Sequence, residues 1–106
     1  MNSTKKPPNQ RRAALPREVA HAKAFQKDWE RYYRAGKYDL NRAKEVMMLL
    51  IANAGPLGAE WLEHPLGGDW EGFQECHIGG DFLLIYQLTA TKVVFTRLGT
   101  HAELFE

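Results

Sequence analysis

Three turn-punctuated apolar segments in the C-terminal third constrain this chain more than any other feature. "FLLIY", residues 82–86, is an unbroken apolar run, and "WEGFQECHI" precedes it with a mixed pattern. "KVVFTRL" follows as a third strand. Gly79-Gly80 separates the first pair and Thr89-Ala90-Thr91 the second, so the three read as consecutive strands with short turns, an antiparallel meander. One face of such a sheet must be covered, and the preceding residues supply the cover. Phe25, Trp29, Tyr32 and Tyr33 recur at helical spacing until Gly36 stops the helix. Asp39 then reads as the N-cap of a second helix, whose apolar stripe is Leu40, Ala43, Met47, Leu50 and Ile51. Asn53-Ala54-Gly55-Pro56 ends it. Ahead of the first helix, "REVAHAKAF" is expected to start as an edge strand, and "LGAEWLEHPLGGDW" is expected to be a loop or one irregular turn. The fold class is α+β: a small antiparallel sheet, a meander with an edge strand, covered by two N-terminal helices.

A chain of 106 residues is sized for one domain with a single core. Residues 1–16 are polar, basic and proline-containing without apolar periodicity, so they are expected to form a disordered tail ahead of a domain at 17–106. No apolar run is long enough to span a bilayer, and no apolar segment follows the N-terminal basic residues as a secretory signal requires. A single cysteine, Cys76, excludes an internal disulfide and fits a cytoplasmic protein.

The net charge of +1 conceals a split. Up to Lys44 there are 12 basic and four acidic residues; from Glu45 onward, two basic and nine acidic. A polyanion partner for the basic half is one reading, and the solvated faces of ordinary helices are the other.

The candidates for chemistry cluster at the ends of the strands. In a meander, the end of the first strand, the start of the second and the end of the third share one sheet edge. That edge gathers His77, Asp81 and Arg97, with His101 one turn beyond and His64 in the loop before the first strand. Thr100 and Glu103 form a capping-box pattern, which places His101 in the first turn of a short helix. Two imidazoles, a carboxylate and a guanidinium suit metal-free phosphoryl transfer: one group takes a proton, another gives one, and a cation steadies the charge. Each residue also has a plainer reading, Arg97 as a surface ion-pair member and Asp81 as a turn residue. Register matters here. A strict Gly79-Gly80 turn puts His77 and Asp81 on opposite faces, so a bulge or longer loop is required to bring them to one cleft.

The motifs "HPLGGDWEGFQECHIGGDFLLIYQL" and "FTRLGTHAELF", covering His64 to Phe105, resemble the YafQ branch of the RelE-like toxins of bacterial type II toxin–antitoxin systems. That branch has H-P-L-x-G-x-W-x-G, then a histidine and an aspartate before an apolar strand, and an R-x-G-[ST]-H-x-x-L-F terminus. The resemblance implies a microbial-ribonuclease-like domain that cleaves mRNA in the ribosome without a cofactor and is silenced by a cognate antitoxin. It carries catalytic roles onto His64, His77, Asp81, Arg97, His101 and Phe105. Lys23, Lys27, Arg31, Arg34, Lys37, Arg42 and Lys44 would then hold ribosomal RNA. Two alternatives from other classes stand beside it. One is a metal-dependent phosphodiesterase using His64, His77, Asp81 and His101 as ligands. The other is a non-catalytic module that binds RNA or the antitoxin.

Overall fold

In chain order the elements are β1 (Glu18–His21), α1 (Lys23–Ala35), α2 (Leu40–Ala52), β2 (His64–Pro65), β3 (Gln74–Gly79), β4 (Phe82–Leu88), β5 (Lys92–Thr100) and α3 (His101–Phe105). This is the computed structural model of the protein, and it describes residues 14–106; most of the expected tail, residues 1–13, lies outside the described residues. Among the described residues, no helix is long and apolar enough to cross a membrane.

The meander forms as expected, and the sheet extends it on both sides in the order β1-β5-β4-β3-β2. Two features differ from the sequence expectation. β1 pairs with β5 in parallel, Glu18 with Lys92 through His21 with Phe95, so the sheet is mixed rather than antiparallel throughout. Both helices and the strands β2 to β4 lie between β1 and β5 in the chain, so no tight hairpin forces the pair to be antiparallel. The segment read as a loop also holds order: single 3-10 turns at Ala59–Trp61 and Gly68–Trp70, with β2 between them pairing antiparallel to β3.

The unbroken "FLLIY" run follows from burial on both faces. Phe82, Leu84 and Tyr86 point into the main core with Phe25, Tyr32, Val46, Leu50, Trp61 and Phe95. Leu83 and Ile85 point to the other face, where Leu104 and the half-buried Leu66, Trp70, Phe73 and Phe105 cover them. Burying each such aliphatic side chain contributes about 1.5–3 kcal/mol.

Helix α2 matches its reading at both ends. The Asp39 side chain accepts the Arg42 N–H at 3.0 Å, and Asn53 closes the helix in the left-handed region at φ 57°. Val46 joins Ala43 and Leu50 in the buried stripe. Helix α1 departs from its reading. Tyr33 is 72% exposed, while Asp28 is only 4% exposed and occupies the packing face. The cause lies in β5: beyond Phe95 its edge is free of β1, and Asp28 accepts the buried Leu98 N–H that β1 leaves unpaired, at 3.0 Å.

Two β-bulges set which side chains share a face. On β3 the register jumps between His77, opposite Leu83, and Gly79, opposite Phe82. On β5 it jumps so that Arg97 faces Ile85 while Phe95 faces Tyr86. Each extra residue re-aims the side chains beyond it.

Candidate active site

Directly paired residues on neighbouring strands project from the same face of a sheet. His64 pairs with Glu75, Glu75 with Ile85, and Ile85 with Arg97, which makes one row across the face opposite α1 and α2. The next row is His77, Leu83 and Gly99. The bulge at Ile78 lies just beyond His77 and absorbs one residue before the chain closes into a tight Gly80-Asp81 turn.

At the centre of the first row stands Glu75, 5% exposed. Its Oε2 lies 2.9 Å from Nε2 of His64 and 3.3 Å from Nε2 of His77. The two rings are 6.2 Å apart between centroids. His64 also points Nδ1 at the Pro65 carbonyl, 3.2 Å away. An ionised carboxylate and a carbonyl can only accept, so this ring satisfies both partners when it carries both protons. Glu75 was not among the residues singled out from sequence. Its signal is the Glu-x-His spacing of Glu75 and His77, which puts both on one face of any strand. The intervening Cys76 faces the main core, where burial pushes its thiol up to about 12, so it offers no nucleophile.

The second histidine site lies at the end of β5. Thr100 and Glu103 form the expected capping box, and α3 starts at His101. The Asp81 carboxylate accepts the backbone N–H of His101 at 3.2 Å, so in this structure Asp81 braces the first turn of α3. The His101 ring stands edge-on to Phe105 with centroids 4.9 Å apart, and Phe105 in turn meets Trp70 at 6.1 Å. Gly99 makes the close return of α3 possible, because a Cβ there would come within 2.9 Å of the Glu103 carboxylate and 3.3 Å of Leu104.

Arg97 shares the row of His64 and Glu75, yet its guanidinium reaches round the strand edge to Asp28. Nε donates at 2.7 Å and Nη2 at 3.2 Å. Hydrogen bonding to Asp28 raises its already high pKa.

The basic residues divide into two groups. Arg31 is bound to Asp28 at 3.1 Å and Glu103 at 3.0 Å, and Arg42 donates to the Ile78 carbonyl at 2.8 Å while lying 4.1 Å over the Trp61 ring. Those two arginines serve the fold. Lys23, Lys27, Arg34, Lys37 and Lys44 are exposed, and the first three recur along one stripe of α1.

His64, Glu75 and His77 offer ligand atoms that all lie within 4.8 Å of one another. Two imidazole nitrogens and a carboxylate oxygen suit Zn²⁺ or Cu²⁺. This set differs from the four ligands considered from sequence, since Glu75 enters it while Asp81 is turned to the His101 N–H.

A family model described as "Bacterial toxin of type II toxin-antitoxin system, YafQ" matches residues 17–106. The mRNA interferase toxin YafQ of Escherichia coli K12 is 40% identical over 91 residues, 86% of this chain and 98% of that protein. The crystal structure of the E. coli DinJ-YafQ toxin-antitoxin complex contains a chain that superposes with a TM-score of 0.80 at 39% identity, covering 87% of this chain and 100% of that one. A metal-bound toxin from Helicobacter pylori superposes with a TM-score of 0.72 at 34% identity, over 83% of this chain and 98% of that one.

Proposed function

The chain belongs to the YafQ family, the bacterial toxins of type II toxin–antitoxin systems, and we propose that it blocks translation as a ribosome-dependent, metal-independent mRNA endoribonuclease. The observation that carries the chemistry is the pair of imidazoles on one buried carboxylate, His64 and His77 on Glu75, with His101 opening the helix whose Leu104 and Phe105 pack on that same face of the sheet. In the reaction the mRNA's own 2′-oxygen attacks the adjacent phosphorus and the P–O5′ bond breaks. The 2′-OH proton passes to a histidine, and a second histidine protonates the departing 5′-oxygen. The products are a 2′,3′-cyclic phosphate, or the 3′-phosphate from its hydrolysis, and a 5′-OH.

His77 and His101 carry the two proton transfers, since an imidazole nitrogen can either accept or donate a proton. Glu75 fixes the orientation of His77 and His64, and His64 contacts the phosphate or assists the transfer. Asp81 holds α3, and so His101, in place. Arg97 donates to the scissile phosphate. Phe105 stacks on a base. Lys23, Lys27, Arg34, Lys37 and Lys44 hold ribosomal RNA, with Arg31 and Arg42 adding charge from the same basic half of the sequence. The setting is the cytoplasm, where ribosomes and mRNA meet, and the partner that silences the protein is a cognate antitoxin, as DinJ accompanies YafQ in the E. coli complex.

A second reading has one observation in its favour, the compact His64–Glu75–His77 ligand set. A metal-dependent phosphodiesterase would use it to activate water. One experiment separates the two. The purified protein, freed of antitoxin, is added to programmed ribosomes in excess EDTA, and the mRNA ends are analysed. Cleavage with 5′-OH and cyclic or 3′-phosphate ends supports 2′-OH attack by histidines. Cleavage only after a divalent metal is restored, with 5′-phosphate ends, overturns it in favour of the metal site. No cleavage under either condition leaves a binding module.

A further inference from the structure

We propose that Asp28 is a positioning residue for RNA cleavage: it clamps the inner edge of the Arg97 guanidinium so that the outer edge faces the scissile phosphate. The proposal rests on the reading of Arg97 as the phosphate ligand and adds to it how that ligand is held.

Asp28 is an unusual residue for the packing face of a helix. A carboxylate this buried is costly unless its lone pairs are filled. Here four N–H groups fill them. Oδ2 accepts from Arg97 Nε at 2.7 Å and from the Leu98 backbone at 3.0 Å. Oδ1 accepts from Arg97 Nη2 at 3.2 Å and from Arg31 Nη2 at 3.1 Å. The backbone contact matters most, because it ties the carboxylate to the strand that carries Arg97 and so fixes the clamp relative to the site.

The guanidinium has five N–H groups. Two are given to Asp28, which leaves both hydrogens of Nη1 and the outer hydrogen of Nη2. That remaining edge is itself a two-pronged donor able to chelate two phosphate oxygens. The Arg97 side chain is 29% exposed, so solvent reaches it. A free arginine on a strand edge would lose rotamer freedom on meeting phosphate, and one already clamped loses less. Strands lie about 4.8 Å apart, so the Arg97 backbone stands about 10 Å from that of Glu75, with one strand between them.

The same network reaches the other catalytic element. Arg31 bridges from Asp28 to Glu103 Oε2 at 3.0 Å, and Glu103 closes the cap of the helix that begins with His101. Glu103 also accepts the Tyr32 hydroxyl. Asp28 therefore sits where the phosphate ligand and the acid–base helix are both anchored to α1.

The test is single-turnover mRNA cleavage on programmed ribosomes by the full chain and by Asp28→Asn, Arg97→Ala, Arg97→Lys and the Asp28→Asn/Arg97→Ala double variant, each checked for thermal unfolding. Asp28→Asn is expected to lower the saturating rate about 10- to 100-fold, the usual scale for a misplaced catalytic contact, with less than about a twofold change in half-saturating concentration. The double variant is expected to be no slower than Arg97→Ala alone. If Asp28→Asn instead slows the Arg97→Ala protein by the same factor as the wild type, Asp28 acts apart from Arg97 and the proposal fails. If Asp28→Asn does not fold, Arg97→Lys decides. It keeps the charge but has no fork to share between carboxylate and phosphate, so it is expected to be as slow as Arg97→Ala, and a wild-type rate overturns the proposal. A wild-type rate for Arg97→Ala is a different failure: it removes the phosphate role itself, and the clamp with it.

Discussion

Glu75 and His64 face each other across the β2–β3 ladder, with the carboxylate oxygen 2.9 Å from Nε2. Because the same oxygen also reaches His77, one substitution disturbs both rings at once. Glu75→Gln keeps the shape but replaces an anion with an amide that can hold one ring nitrogen only by re-pairing it. Single-turnover cleavage is expected to fall about 10²-fold, at the low end of what an acid–base group contributes. Circular dichroism of the variant should match the wild type. A rate within twofold of wild type would remove Glu75 from the site.

His101 belongs to a separate element, and its loss should be felt as chemistry rather than as fold. His101→Ala is expected to cut the rate by about 10² to 10⁴. Asp81→Ala, which removes the acceptor of the His101 N–H but no imidazole, should cost clearly less. The ordering of the two rates under identical conditions is the check. An Asp81→Ala protein as slow as His101→Ala would mean the carboxylate takes part directly.

The two classes of basic residue should separate in two different measurements. Lys27→Glu and Arg34→Glu, on the exposed stripe of α1, are expected to weaken ribosome binding and flatten its salt dependence. Each phosphate that is no longer neutralised should lower the log–log slope by about 0.7 to 0.9. Arg31→Ala and Arg42→Ala should instead lower the melting temperature, because they break the bonds to Asp28 and to Ile78. Co-sedimentation at several salt concentrations, with melts alongside, tests both halves.

Cys76 provides a pH test of the core. Its folded thiol pKa is raised to about 12, chiefly by desolvation, against 9.0 for an unperturbed thiol. Below pH 9 both states keep the proton and the group leaves stability unchanged with pH. Between about pH 9 and 12 the unfolded chain has released it and the folded chain has not, so stability falls as pH rises. The fall approaches about 1.4 kcal/mol per pH unit from this one group. Tyr86, also raised by burial, acts in the same direction above pH 10. Urea unfolding across that range should show the decline, and Cys76→Ala should make it shallower. At neutral pH the native thiol should react with a disulfide reagent far more slowly than the unfolded one.

The meander, the two covering helices, the Asp39 cap and the Thr100–Glu103 cap were all legible in the sequence, because each rests on local periodicity or local turn chemistry. A bulge before the turn was legible only as a requirement of the expected cleft; the structure has the bulge, with the Asp81 carboxylate on the His101 N–H. Three features were not legible. β2 is two residues long and has no periodicity to read. Glu75 is buried through its pairing with β2, a partner strand that has no signal in the sequence. Asp28 carries no sign of burial in the sequence, and Tyr33 falls at helical spacing with the apolar residues yet is exposed; α1 lies against a strand edge whose unpaired N–H draws Asp28 inward. In each case the missing information is which strand has a neighbour.

His64 hangs from the smallest strand of the sheet, two residues whose second is a proline with no N–H to give. The segment leading to it and away from it is held by single 3-10 turns, while His77 rides on a strand buried between neighbours. The two halves of the imidazole pair therefore differ in tenure. Hydrogen exchange is expected to be slower at the β3 amides around His77 than at those around His64. The hold on His64 is by side-chain anchors at either flank, Trp61 in the main core and Leu66 and Trp70 over Leu83 and Ile85, where the hold on His77 is a backbone ladder.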